Sequence, residues 1–119
     1  MTQEKFPNRY VQVTTTTDSK DLAERIAQTL VEKKLAACVQ ISGPISSTYE
    51  WQNQIETTEE YCCTIKTRMD LYHAVEASIK AMHAYVVPEI IALPIITGNP
   101  DYLQWIDDVT KEPLPVPSA

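Results

Sequence analysis

Hydrophobic and polar positions along this chain follow two alternating periods, and the switches between them divide it into elements. From Tyr10 to Thr16, YVQVTTT is β-branched and alternating, as in a half-buried strand. Asp18 or Ser19 then offers an N-cap. Leu22, Ala23, Ile26, Ala27, Leu30 and Val31 fall on one helical face, with Lys20, Glu24, Arg25 and Gln28 on the wet side. A second strand is predicted from about Ala36 in LAACVQI. Gly43-Pro44 interrupts it, and ISSTYEWQ continues in extended style. Asn53 marks a hairpin turn, because Asn tolerates positive φ, and the return strand is placed from about Glu59 to Thr67. Leu71, Val75, Ile79 and Met82 recur at helical spacing. After Pro88, EIIALPIIT reads as a fourth strand, in which Pro94 signals an edge or a bulge. Asn99-Pro100 pairs an N-cap with a proline at the first helical position, opening a short last helix.

The order β-α-β-β-α-β plus a terminal helix predicts an α+β fold, a ferredoxin-like sandwich with two helices on one sheet face. The expectation is one domain over 1–119, with an N-terminal tail at 1–9 and a proline-rich tail at 111–119. The other sheet face is expected to expose apolar strand residues and to need a cover, either the last helix or another copy of the chain. Strands long for so small a domain favour another copy.

Composition narrows the function. With 44% hydrophobic and 22% charged residues the chain reads as soluble and globular. Its net charge is −6 and its basic residues are scattered, which argues against nucleic acid and against an anionic membrane surface. No apolar run approaches the roughly 20 residues of a membrane span. MTQEKFPNRY lacks the apolar core of a secretory signal, so a cytoplasmic location is expected. Cys38, Cys62 and Cys63 cannot all pair within one chain and match no zinc spacing, so buried reduced thiols are expected. Only two glycines are present, and no phosphate loop, dinucleotide fingerprint or nucleophile elbow appears. No enzyme activity and no organic cofactor are expected.

Candidate chemistry concentrates in AMHAYVVPEI, residues 81–90. His83 ends a predicted helix, where an imidazolium satisfies helix carbonyls or, with Glu89, forms half of a metal site. Pro88 holds Val87 extended, so the turn is stiff. Two ligands do not complete a site. His73 reads as a solvated surface residue beside Glu76. Tyr49, Trp51, Tyr85, Tyr102 and Trp105 are flanked by polar residues and suit either packing with wet polar tips or contacts between subunits. Lys66 either guards a sheet edge or pairs with Glu89 in a cleft.

The segments KKLAACVQI, YEWQNQI, TIKT, HAYVVPEI and YLQWI, in that order and spanning about Tyr10 to Ile106, resemble the divalent-cation tolerance (CutA) family. The resemblance implies a homotrimer, a link to tolerance of copper and other divalent metals, and no established catalysis. It also implies that Tyr49, Trp51, Lys66, Thr67, His83, Tyr85, Pro88, Glu89, Tyr102 and Trp105 line or support clefts between subunits, with His83 and Glu89 as metal ligands. Ala84 and Val86 depart from the family's usual turn, and Asn53 stands where glycine is common. Thr15 and Met82 stand where some relatives carry a cysteine and a further histidine, so a cysteine–histidine copper site is incomplete. The expectation is therefore a trimeric, non-catalytic protein of metal-ion response that binds copper or another divalent cation weakly. Other readings are a trimeric small-molecule sensor resembling PII proteins, disfavoured by few glycines and basic residues; a hydrolase; and a structural trimer for a protein partner the sequence does not name.

Overall fold

The structure, a computed structural model, describes residues 9–112, so the tail segments 1–8 and 113–119 lie outside the described residues. The elements are β1 (Tyr10–Thr17), α1 (Lys20–Glu32), β2 (Cys38–Trp51), β3 (Gln54–Arg68), a short 3-10 turn (Met69–Leu71), α2 (Tyr72–Met82), β4 (Ile90–Pro94) and α3 (Pro100–Val109). The strands form one sheet in the order β2-β3-β1-β4, with every pairing antiparallel. This is the ferredoxin-like α+β arrangement that the alternating periods predict. Pro94 ends an edge strand, where its missing N–H costs nothing. No helix among the described residues is long and apolar enough to cross a membrane.

The core lies between one sheet face and helices α1 and α2. Val11, Val13, Cys63 and Ile65 pack there against Ile26, Leu30, Val75 and Ile79. Ser19, not Asp18, caps α1, its Oγ accepting from Leu22 N–H at 3.1 Å. Val31, expected on the inner face, is 44% exposed. The chain reverses just beyond it through Lys34 at φ 60°, and Leu35 and Ala36 fill that end of the core instead. Cys63 is buried, which pushes its thiol up to about 11, whereas Cys38 and Cys62 are only half-buried. All three are free.

Thr15 also faces the core, fully buried, and its Oγ1 has no hydrogen-bond partner. A buried hydroxyl without a partner is costly, and valine keeps its shape without that cost. Thr15→Val should therefore raise the unfolding free energy by about 1 kcal/mol. A urea midpoint that falls in the variant would contradict this.

The second sheet face differs from expectation. Alternation places Gln12, Thr14, Gln40, Thr64 and Lys66 there, so most of it is polar rather than apolar. Its apolar part is the β4 edge, where Ile91 and Leu93 are 49% and 52% exposed. Helix α3 caps one end of this face. Its Ile106 is buried, and Asp107 accepts from Arg9 at 2.9 Å and from the Tyr10 hydroxyl at 2.7 Å. Beneath it the buried Arg68 donates to Asp70 (2.9 Å), Thr110 Oγ1 (2.8 Å) and the Lys111 carbonyl (2.7 Å).

The β2–β3 hairpin is longer than the sequence suggested. Its turn is Gln52-Asn53, at φ 52° and 66°, the two positive values that a tight two-residue hairpin needs. Pairing resumes at once with Trp51 opposite Gln54, so β3 begins at Gln54 rather than Glu59. Nor does Gly43-Pro44 break the second strand. Ser42 pairs with Cys62 and Ile45 with Glu60, so one extra residue is accommodated in β2 as a bulge.

Candidate functional site

That single extra residue decides where the hairpin's aromatics point. Side chains alternate faces along a strand, so an uninterrupted β2 would place even-numbered residues on the face of Ser42. Beyond the bulge the odd-numbered residues take over. Ile45, Ser47, Tyr49 and Trp51 pair with Glu60, Thr58, Glu56 and Gln54, and these residues share one face. The Tyr49 hydroxyl lies 2.6 Å from Thr58 Oγ1 across that face.

Opposite the hairpin runs the loop from α2 to β4. His83 is the C-cap of α2, its backbone N–H bonded to Ile79 O. Its ring does not satisfy the helix's own carbonyls. Nδ1 accepts the Tyr85 backbone N–H at 3.1 Å, and Nε2 lies 2.8 Å from the Thr16 carbonyl, which can only accept. This pattern assigns the neutral tautomer with the proton on Nε2. The imidazole thereby ties the loop to the end of β1, and both ring nitrogens are engaged.

The loop so fixed stacks Tyr85 against His83, ring centroids 4.7 Å apart, and sends its hydroxyl to Glu60 Oε2 at 2.7 Å. Burial, and then this bond to a carboxylate, pushes the Tyr85 phenol far above its usual range, so it remains a donor. Glu60 itself is only 5% exposed.

Between loop and hairpin opens a cavity of about 680 Å³ lined by Thr16, Ser47, Thr48, Tyr49, Trp51, Glu60, Tyr85, Val86, Val87 and Glu89. Of the residues singled out from sequence, it gathers Tyr49, Trp51, Tyr85 and Glu89. Pro88 lies between two lining residues without itself lining the cavity, and His83 stands behind it as a brace. The others lie elsewhere. Lys66 Nζ donates to Gln40 Oε1 at 2.8 Å on the second sheet face, not to Glu89. Thr67 is buried and donates to the Leu35 carbonyl at 2.6 Å. Tyr102 and Trp105 pack together on α3, centroids 5.4 Å apart. His73 is solvent-exposed, 3.9 Å from Glu76.

Sequence reasoning missed Glu60. The available signal was a strand carboxylate on the same face as Cys62, in a segment that needs no charge there; the bulge hid its alignment with Tyr49 and Trp51. As a metal centre the site is incomplete. No group of three His, Cys, Asp or Glu side chains that could hold an ion occurs among the described residues. The donors the cavity offers are oxygens, which suit hard divalent ions better than copper.

Comparison with known proteins agrees with this architecture. The profile of the CutA1 divalent ion tolerance protein family matches residues 11–109. Mouse protein CutA is 43% identical over 96 residues, a match covering 81% of this chain and 54% of the mouse protein. The chain thus spans about half the length of that relative. The crystal structure of CutA1 from Shewanella sp. SIB1 superposes with a TM-score of 0.85 at 45% identity, covering 87% of this chain and 97% of that one. CutA from Archaeoglobus fulgidus, described as periplasmic, gives 0.83 at 42% identity, covering 86% and 99%. A rice relative is named chloroplastic, so these proteins do not share one compartment. The family's name refers to tolerance of divalent ions, not to a reaction. This chain belongs to the CutA1 divalent ion tolerance family.

Proposed function

We propose that the protein is a non-catalytic homotrimer of the divalent-ion response and that it holds copper or another divalent cation weakly at the cleft between the loop and the hairpin. The observation that carries the reading is the charge of the lining: two carboxylates, Glu60 and Glu89, and no basic side chain. Such a cleft concentrates cations. Weakness follows from the donor set. Two carboxylates and a protonated tyrosine from one chain leave most coordination positions to water or to a neighbouring subunit. For His83 to ligate, as expected from sequence, its ring must give up the bond to Tyr85 or to Thr16. In this reading Glu89 and Glu60 contact the ion, and His83 braces the wall.

Support for assembly comes from exposed apolar side chains. Outside the cleft, Ile55 and Ile96 are 73% and 84% exposed, alongside the β4 strip of Ile91 and Leu93. Exposed apolar side chains of this kind are consistent with burial between subunits. Light scattering should return a mass three times the 13.4 kDa of one chain.

The metal test is a calorimetric titration of Cu(II) and Mn(II) into the native protein, Glu89→Gln and His83→Ala, with the oligomer state checked on each. Saturable binding by the native protein, weakened about tenfold by Glu89→Gln, is the expected result. Affinity lost in His83→Ala while the trimer persists would move the ligand back to the imidazole. Absence of saturable binding by either ion would remove the metal reading.

A further inference from the structure

The same cavity is larger and more aromatic than a metal ion requires. At about 680 Å³ it falls in the range of pockets for small organic molecules, roughly 300–1,000 Å³. Three aromatic rings, Tyr49, Trp51 and Tyr85, contribute to its walls. Aromatic faces attract cations, and Trp and Tyr do so strongly. The exposed Val86 and Val87 extend the wall with apolar surface that a ligand's carbon skeleton would cover.

Glu60 gives a second, independent pointer. The residue is largely buried, yet its one hydrogen bond among the described residues is that from Tyr85 to Oε2. Oε1 has no hydrogen-bond partner among them and is open to solvent from the cleft. A carboxylate oxygen that faces the cleft without a protein donor is available to a ligand's N–H, and a charge-assisted bond there is stronger than a neutral one. Phosphate-bearing ligands are disfavoured, because no Lys, Arg or His lines the cavity.

We propose that this cleft binds a small organic ammonium ion, a charged nitrogen carried on an apolar body. The ammonium hydrogen-bonds to Glu60 Oε1 among the rings of Tyr49, Trp51 and Tyr85. The carbon skeleton lies against Val86 and Val87. The proposal goes beyond the divalent-ion reading and does not rest on it, although both ligands would draw on the same carboxylates.

The test uses n-butylammonium, with n-butanol as the neutral analogue of equal chain length, titrated calorimetrically into the native oligomer and into Glu60→Gln. Mn(II) is titrated into the same samples. Glutamine keeps an acceptor for the Tyr85 hydroxyl but removes the charge. The expected result is saturable binding of n-butylammonium at least about tenfold tighter than n-butanol, with the difference abolished in Glu60→Gln. Equal affinity for the two probes, no binding of either, or an ammonium preference that survives Glu60→Gln would overturn the proposal. Should Glu60→Gln fail to fold, Trp51→Leu at an exposed position serves instead and should weaken n-butylammonium about fivefold; an unchanged affinity there would equally overturn it. Ammonium binding without Mn(II) binding removes the metal reading alone. Mn(II) binding without ammonium binding removes this proposal alone.

Discussion

Gly43→Ala should destabilise the protein by about 3 kcal/mol and disorganise the cleft at the same time. Gly43 sits at φ +147°, a backbone conformation that side chains rarely adopt. A Cβ there would come within 2.9 Å of the Glu60 carbonyl oxygen, 3.1 Å of Tyr61 Cα and 2.8 Å of Tyr61 Cδ2. Two of these are backbone atoms of the paired strand, which cannot swing aside as a flexible side chain would. Relief requires β2 and β3 to separate at the bulge. That movement displaces Glu60 and the alignment of Tyr49 and Trp51 with it. Urea unfolding at fixed protein concentration reads the first effect, since assembly makes the midpoint concentration-dependent. A shift worth less than about 0.5 kcal/mol would show that the bulge is not constrained as described.

Arg68→Met should cost a similar amount, about 2–4 kcal/mol, by a different route. Arg68 is 3% exposed, and its guanidinium joins β3 to the chain after α3 through Thr110 and Lys111, with Asp70 as its counter-charge. Methionine roughly fills the volume but leaves the Lys111 carbonyl without its side-chain donor. Asp70, which is exposed, is simply solvated. The loss should loosen α3 first, because the α1–α2 core does not include Ile106. Amide exchange that accelerates in α3 more than in α1 or α2 is the expected signature. Uniform acceleration, or an unchanged urea midpoint, would contradict this role.

Much of the fold was legible because each element's period matched its environment. Leu22, Ala23, Ile26 and Leu30 announce a helix on a core, and Asn99-Pro100 announces where the last helix begins. The family resemblance, carried by five short segments in register, agreed with the comparisons. What escaped the sequence lay where one residue changes direction. The Gly43-Pro44 step reads as a break, and nothing local says that the strand continues with its faces exchanged. Glu60 consequently looked like one of several surface carboxylates. Val31 was misplaced because periodicity does not reveal that Leu35 and Ala36 fold back over the same end of the core. His83 was weighed as a ligand or a helix cap. Its partners turned out to be Thr16, far away in sequence, and Tyr85, whose backbone N–H reaches Nδ1. Only tertiary structure supplies the first of these contacts.

Glu60 and Glu89, which line one cleft between the bulged hairpin and the braced loop, are the proposed cation site. The most direct measurement is an anomalous difference map from crystals of the native protein grown with Mn(II). A peak inside the cleft, within coordination distance of a Glu60 or Glu89 oxygen, is the expected result. A peak on His83 or outside the cleft, or no peak at a saturating Mn(II) concentration, would contradict it.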